Sequence, residues 1–158
     1  MNQFRINDDD KLLDAVGWRI LRALQENARI SFAELGRQVG LSSPAVAERV
    51  RKLEDAGIIT GYHAAIDLAR IGQPITAIVL VGNPGDRSDQ VTALVARMPE
   101  ILECHRITGN DSFVMKVAVA SVEHLEQVIR TIEPYGRTTT SLILSSPVKQ
   151  RIITPPEG

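Results

Sequence analysis

Apolar residues in the first third of the chain recur at helical spacing. Val16, Ile20 and Leu24 lie four residues apart, which places them on one face of a helix. Asp14 is a residue type that caps helix N-termini, so we expect the helix to begin after Asp14 and to run to about Asn27. The pattern predicts an amphipathic helix with one buried face.

Two further helices are predicted by their boundary residues. Ser31 and Glu34 match a capping box, in which each side chain accepts a hydrogen bond from the other residue's backbone N–H, and this helix should end near Val39. A short turn, Gly40–Ser42, separates it from a third helix, and two helices joined in this way form a helix-turn-helix. The third helix is expected to be capped by Ser42 or Ser43, to carry Pro44 in its first turn and to end at Gly57.

The second half alternates short apolar strands with helices in the order β-α-β-β-α-β, which is typical of a ferredoxin-like domain. The predicted fold is therefore α+β: an N-terminal helix-turn-helix, winged-helix-like domain (1–62), a ribbon or linker (63–74) and a C-terminal ferredoxin-like domain (75–158). β-forming residues in Ile58–Ile66 suggest the ribbon. Strands are expected at Ile75–Val81, Ile101–Thr108, Phe113–Val119 and Arg137–Ser146, and helices at Ser88–Met98 and from Ser121 to Ile132.

Composition narrows the class of protein. The chain has 158 residues, is 44% hydrophobic and carries a net charge of −1, as expected of a globular protein, and no apolar run approaches the roughly 18 residues of a membrane span. The polar, acidic N-terminus is not typical of a secretory signal. Cys104 is the only cysteine, which excludes an internal disulfide and favours a reducing cytoplasm.

The predicted helix-turn-helix is basic, although the net charge of the whole chain is near zero. Between Arg29 and Lys52 the sequence has five basic residues and two acidic ones. In DNA-binding proteins of this kind the second helix of the motif enters the major groove. The alternative is that the motif serves only packing, since charged residues lie outward on any helix.

The helical positions predict which residues of the third helix face outward. Val46, Val50 and Leu53 share the buried side, so the opposite side carries the candidate DNA contacts. Ser43, Ala45 and Glu48 are expected at base edges, and Arg29, Arg51 and Lys52 at phosphates. Arg49, at the edge of the outer face, has two open roles, a DNA contact or an internal brace. The complete candidate set is Arg29, Ser42, Ser43, Ala45, Glu48, Arg49, Arg51 and Lys52.

A glycine turn in the second half is a candidate small-molecule site. The turn comprises Gly109, Asn110, Asp111 and Ser112, and its backbone amides beside hydroxyl groups can receive a carboxylate. Thr139 and Thr140, with Ser141, can supply further hydroxyl groups from the last strand. The alternative is an ordinary hairpin turn in which Gly109 supplies a positive φ.

Nearly the whole chain, from Leu12 to Ile153, resembles the Lrp/AsnC regulators, the leucine-responsive or feast/famine transcription regulators of bacteria and archaea. The resemblance in the first half lies in Leu13-Asp14, Ile20-Leu21, Leu24-Gln25, Arg29-Ile30-Ser31, Glu34-Leu35, Val39-Gly40-Leu41-Ser42, Val46, Arg49-Val50, Leu53-Glu54 and Gly57-Ile58-Ile59. In the second half it lies in the segments 109–117 and 139–145.

The resemblance implies a regulator that binds double-stranded DNA as a homodimer, which assembles further into tetramers, octamers or larger rings. It also implies an amino-acid effector bound between neighbouring C-terminal domains. The family often has an acidic residue at the position of Gly17 and at those of Asn110 and Ser112. Asp111 is therefore the only carboxylate in the turn that can receive the ammonium group of an amino acid.

Two other functions remain as alternatives. One is a metabolite-sensing or assembly module that no longer binds DNA, and the other is an enzyme resembling tetrapyrrole decarboxylases of the same two-domain plan, for which His105 and Arg106 are the relevant residues. No serine or cysteine has a base at a recognisable motif spacing, and the three histidines do not have metal-ligand spacing. The sequence thus predicts a regulator without catalytic residues, metal or cofactor.

Overall fold

A computed structural model of the chain describes residues 11–82 and 84–156. Residues 1–10, Asn83, Glu157 and Gly158 lie outside the described part, and with them the ends of the two predicted domains. The described residues divide into two compact units, one comprising residues 11–65 together with 148–156, the other residues 66–82 and 84–147. Within the described residues, no helix is long and apolar enough to cross a bilayer.

Three helices of the first unit lie wholly within the described residues: α1 (Ala15–Glu26), α2 (Phe32–Val39) and α3 (Ser43–Asp55). The predicted N-caps are confirmed, because Asp14, Ser31 and Ser42 each accept a hydrogen bond from the backbone three residues on. The return bond of the capping box is not among the hydrogen bonds of the described residues, and the Glu34 carboxylate accepts from Arg37 instead. Gly40 ends α2 in the left-handed conformation, which glycine adopts without strain. The helices enclose a core of Ile20, Ala23, Leu24, Leu35, Val39, Val46, Val50 and Leu53.

The ribbon predicted in Ile58–Ile66 is not present, since the described residues between α3 and residue 75 contain no strand. A strand exists only where a neighbouring strand satisfies its backbone groups, and this segment has no such partner among the described residues. Its start is tied to α3 instead: the N–H groups of Ile58 and Ile59 donate to the carbonyl of Leu53, and the Tyr62 hydroxyl donates to Glu54 at 2.8 Å.

The second unit is a four-stranded antiparallel sheet covered by helices. Its elements are β1 (Ile75–Gly82), α4 (Ser88–Val95), β2 (Ile101–Arg106), β3 (Asp111–Val119), α5 (Val122–Ile132) and β4 (Arg137–Leu142). The strand order is β2-β3-β1-β4, and the βαββαβ order along the chain is confirmed. Alternate strand residues and the helices form one core: Ala77, Val79, Val81, Val91, Val95, Phe113, Met115, Val117, Val119, Leu125, Val128 and Ile132.

Several element ends differ from the prediction. Strand β4 ends at Leu142, the last residue that pairs with β1. Beyond it, one backbone hydrogen bond to β1 remains, from the Ile143 N–H to the Thr76 carbonyl. Strand β3 begins at Asp111, within the predicted turn, because Asp111 pairs with Gly82 beyond a bulge. Helix α4 ends at Val95, after which the N–H groups of Arg97 and Met98 bond three residues back.

The C-terminal segment belongs with the helical unit, although the sequence prediction assigned it to the second domain. The Gln25 carboxamide accepts from the Ile153 N–H at 2.8 Å and donates to the Ile153 carbonyl at 3.1 Å. Gln25 lies on α1, so these bonds join the tail to the first helix. The domain boundaries as functional units stay a prediction.

Candidate functional site

Helices α2 and α3 are joined by a turn that packs tightly over one glycine. The Gly36 carbonyl accepts from the N–H groups of both Gly40 and Leu41 at 2.9 Å. A Cβ atom on Gly36 would lie 2.5 Å from the carbonyl oxygen of Leu41, closer than real contacts allow. Gly36 therefore permits the close approach of the turn that sets α3 against α2.

The exposed face of α3 carries the residues that its helical periodicity predicts. Val46, Val50 and Leu53 are at most 2% exposed. Glu48 is exposed on the opposite side, Ser43 is exposed as the first residue of the helix, and the part-buried Ala45 lies between them along the helix. The start of this face thus combines small side chains with a carboxylate, which suits close approach to a groove of DNA.

Arg49 braces the helices, which is one of its two predicted roles. Its Nη1 and Nη2 atoms donate to Oδ1 and Oδ2 of Asp14, each at 2.8 Å. Asp14 also accepts from the Gly17 N–H at 2.7 Å, so one carboxylate caps α1 and holds α3. The hydrogen bonds from Arg49, and next those from Gly17, lower the pKa of Asp14 to about 2.

Four of the other charged residues of α3 pair with one another. Glu48 accepts from Arg51, with Oε2 at 2.9 Å from Nη2, and its Oε1 lies 3.5 Å from Nζ of Lys52. Arg51 also lies 3.6 Å from Asp55. The hydrogen bond from Arg51 lowers the pKa of Glu48. Arg29, exposed between α1 and α2, has no ion-pair partner among the described residues.

Two residues that position this surface escaped the sequence analysis. Arg19 donates to the carbonyl of Val39 at 3.3 Å, at the C-terminus of α2. Gly36 could have been found in the sequence, because a glycine within a predicted helix often marks a close contact. Arg19 could not, since its partner lies twenty residues away.

The turn 109–112, predicted as the effector site, is a hairpin that contains an acidic residue with a buried oxygen, Asp111. Gly109 has a φ of 117°, and the Ile107 N–H donates to the Ser112 carbonyl at 3.0 Å. Oδ1 of Asp111 is buried and has no hydrogen-bond partner among the described residues. It lies against Gly82, on which a Cβ atom would come within 2.7 Å of that oxygen. Asn110 at the tip is exposed.

The structure separates Thr139 and Thr140 from this turn. Asp111 pairs with Gly82 of β1, whose other neighbour is Arg137 of β4, so β1 lies between the two groups. Thr140 is opposite the core residue Val79, whereas Thr139 is one residue earlier and points to the other face. The two threonines therefore cannot face the same ligand, although Thr139 shares its face with Ser141.

A cavity of about 610 Å³ lies at the same end of the sheet as the turn. It brings together charged side chains from separate parts of the sequence, and Gly82, the neighbour of Asp111, lines it. The Arg87 guanidinium donates to the Pro134 carbonyl. The lining residues are Gly82, Arg87, Glu133, Pro134, Gly136, Arg137 and Thr138. Among the described residues, no group of acidic, histidine or cysteine side chains could hold a metal ion.

Two family models match this chain and together cover most of it. Residues 13–54 match the AsnC-type helix-turn-helix domain, and residues 76–153 match the Lrp/AsnC ligand binding domain. The chain is 44% identical to the uncharacterized HTH-type transcriptional regulator YezC of Bacillus subtilis, covering 85% of this chain and 95% of the relative. It is 33% identical to the leucine-responsive regulatory protein of Haemophilus influenzae, covering 89% of each.

Solved structures show the same fold over most of the chain. LrpC of B. subtilis matches with a TM-score of 0.83 at 33% identity, covering 87% of this chain and 99% of that one. AsnC of E. coli matches with a TM-score of 0.80 at 30% identity, covering 89% and 97%. A complex of the regulator NMB0573 of Neisseria meningitidis with L-Met matches with a TM-score of 0.82 at 25% identity, covering 89% and 96%. The chain belongs to the Lrp/AsnC family of transcriptional regulators.

Proposed function

We propose that the chain regulates transcription by placing α3 in the major groove of double-stranded DNA. The outward face of α3 carries this proposal, because small side chains near its start are followed by exposed cations. Ser43, Ala45 and Glu48 face base edges, where alanine suits a thymine methyl group and a carboxylate accepts from the cytosine amino group. The DNA-binding set is Arg29, Ser42, Ser43, Ala45, Glu48, Arg51 and Lys52, and Arg49 positions α3 through Asp14.

The effector that we propose is an amino acid bound at the turn 109–112. Backbone amides at the turn receive its carboxylate, and Asp111 receives its ammonium group. The unpartnered oxygen of Asp111 supports this role, as do the structural relatives NMB0573 and Rv3291c of Mycobacterium tuberculosis, both solved with L-methionine. Because Thr139 and Thr140 point to opposite faces, at most one of them contributes a hydroxyl group to this site.

We also propose that the active form is a homodimer or a larger even-numbered assembly. Helices pack on one face of the sheet, and the other face presents the half-buried Ile78, Leu80 and Val114. A second copy covering this face would bury that apolar stripe, which favours association. An assembly of this kind brings two copies of α3 to one DNA site and creates effector sites between chains.

The relatives named above are transcriptional regulators, which supports regulation rather than catalysis as the role of this chain. We therefore assign no catalytic residue and no cofactor, and we place the protein in the cytoplasm with its DNA target. The regulation is a population shift, in which an effector favours the assembly that it binds more tightly and so alters DNA occupancy.

The test is a gel-shift titration on DNA from upstream of the protein's own gene, at two salt concentrations, with and without each of the twenty amino acids. A salt-dependent, sequence-selective shift that one amino acid alters would support both the regulator and the effector. A shift that no amino acid alters would leave the regulator and remove the effector site. Absence of any shift, also on pooled genomic DNA, would favour the module that does not bind DNA.

Asp111→Ala tests the effector turn. We expect the variant to lose the amino-acid response and to keep its DNA affinity within a few-fold of that of the wild type. Removing a buried carboxylate oxygen that has no partner should not lower the melting temperature. Asp86→Ala, at an exposed acid of the same unit, is the control and should keep the response. An unaltered response in Asp111→Ala would place the effector elsewhere.

A further inference from the structure

The outer face of α3 is electrically balanced, although it carries two of the cations assigned to phosphates. Glu48, Arg51, Lys52 and Asp55, which we call the α3 charge cluster, are all exposed and lie within about two helical turns. Two carboxylates and two cations sum to zero charge. The basic character of the helix-turn-helix is therefore cancelled on the surface where the phosphates are expected.

Glu48 is the centre of the cluster. Its carboxylate accepts three hydrogen bonds from Arg51, with distances of 2.9 to 3.2 Å, and lies 3.5 Å from Lys52. Asp55 reaches only Arg51, at 3.6 Å. One carboxylate thus engages both cations at once, and removing its charge would free Lys52 and leave Arg51 with Asp55 alone.

Exposed ion pairs of this kind are weak and exchange partners readily. A phosphate can replace Glu48 as the partner of Arg51 and Lys52, but the displaced carboxylate then lies beside the negatively charged DNA backbone. That cost is offset where the carboxylate finds a hydrogen-bond donor on a base. In the major groove only the amino groups of cytosine and adenine are donors, and a carboxylate pairs with that of cytosine.

On this basis we propose that Glu48 is a discriminator that restrains binding to non-cognate DNA by holding Arg51 and Lys52. At a cognate site Glu48 accepts from a cytosine amino group, and the two cations turn to the phosphates. Specificity then arises from a repulsive element that only the correct base relieves. This inference rests on the proposed insertion of α3 into the major groove.

The experiment compares Glu48→Gln with the wild type on poly(dA–dT), which contains no cytosine, and on the fragment from upstream of the gene. Affinities are measured by fluorescence anisotropy across a salt series. On poly(dA–dT) the variant should bind roughly threefold more tightly or better, and the slope of log affinity against log salt should steepen by about one, the effect of one added phosphate contact. The preference for the upstream fragment should fall.

Glu26→Gln is the matched control. Glu26 lies on α1 and accepts from Arg22 at 3.0 Å, so the variant also loses one carboxylate from a helical ion pair and gains the same net charge. We expect it to leave both the slope and the preference unchanged. Equal slopes for Glu48→Gln and Glu26→Gln would overturn the proposal.

The remaining outcomes are also decisive. A steeper slope with an unchanged preference would overturn base recognition by Glu48 and keep the restraint on Arg51 and Lys52. Weaker binding of Glu48→Gln to both DNAs would overturn the restraint. If the wild type binds neither DNA, the proposed function itself fails, and that result is distinct from the others.

Discussion

At the scale of single residues, Asp14 has two structural roles. The same carboxylate caps α1 and accepts two hydrogen bonds from Arg49 on α3, so it joins these two helices through residues that are 35 apart in sequence. Its side chain is 41% exposed, so solvent screens the attraction between the two charges. The main contribution of the ion pair is therefore to hold α3 in place against the start of α1. Arg49 therefore affects DNA binding through the position of α3.

The Asp14–Arg49 pair predicts how stability depends on pH. Folding depresses the pKa of Asp14 from an ordinary 3.8 to about 2, so folding favours the charged form. The stability that it adds is complete above about pH 4 and is lost as the pH falls towards 2. Asp14→Asn keeps a capping oxygen and removes the charge, so the variant should be less stable at neutral pH, with the difference shrinking between pH 4 and pH 2.

Urea unfolding at several pH values measures that difference. If the difference in the free energy of unfolding between the wild type and Asp14→Asn stays constant down to pH 2, the prediction is wrong, because the charge of Asp14 then does not contribute to stability.

At the scale of elements, local signals located each helix, whereas close packing decided how two of them meet. The helix-turn-helix depends on Gly36, where the turn residue Leu41 approaches the backbone of α2. Gly17 has the same role in α1, since a Cβ atom there would lie 1.8 Å from the carbonyl oxygen of Leu12. This contact accounts for the glycine at position 17.

Gly36→Ala should destabilise the helical unit. Helix propensity alone would favour alanine by about 1 kcal/mol, but the added methyl group would overlap the Leu41 carbonyl. Overpacking of this kind typically costs about 1–3 kcal/mol, so we expect a net loss in the free energy of unfolding. Gln38→Ala, at an exposed position of the same helix, is the control and should change stability little. Thermal or urea unfolding checks both, and a more stable Gly36→Ala would contradict the contact.

At the scale of the whole molecule, the chain forms two units, each with its own hydrophobic core. The path of the chain joins them twice, because it leaves the helical unit after residue 65 and rejoins it at residue 148. Near the end of the chain, the bonds between Gln25 and Ile153 hold the tail on α1. The C-terminal segment is thus part of the unit that carries α3.

Gln25→Ala should release the tail. The Ile153 N–H would lose its acceptor, so its hydrogen exchange should accelerate by up to about tenfold, the equivalent of one hydrogen bond of about 1 kcal/mol. Gln25→Glu keeps the acceptor and loses the donor, so it should protect Ile153 better than alanine does. Exchange measured by NMR separates the three proteins, and equal rates in all of them would contradict the contact.

The sequence by itself determined the helices of the first unit, their caps, the βαββαβ order and the buried face of α3. These features depend on contacts within a few residues or on the period of the side chains, both of which are written directly in the sequence. The opposite directions of Thr139 and Thr140 belong to the same class, because neighbouring residues of a strand always alternate.

Only the tertiary structure decided which distant groups meet. It paired Arg49 with Asp14, set the Asp111 oxygen against Gly82, left the predicted ribbon without a partner strand and returned the tail to Gln25. Each of these depends on backbone segments that the fold brings within a few ångströms across tens of residues. Side-chain periodicity carries no record of such distances, because it identifies the face on which a residue lies and not what lies opposite.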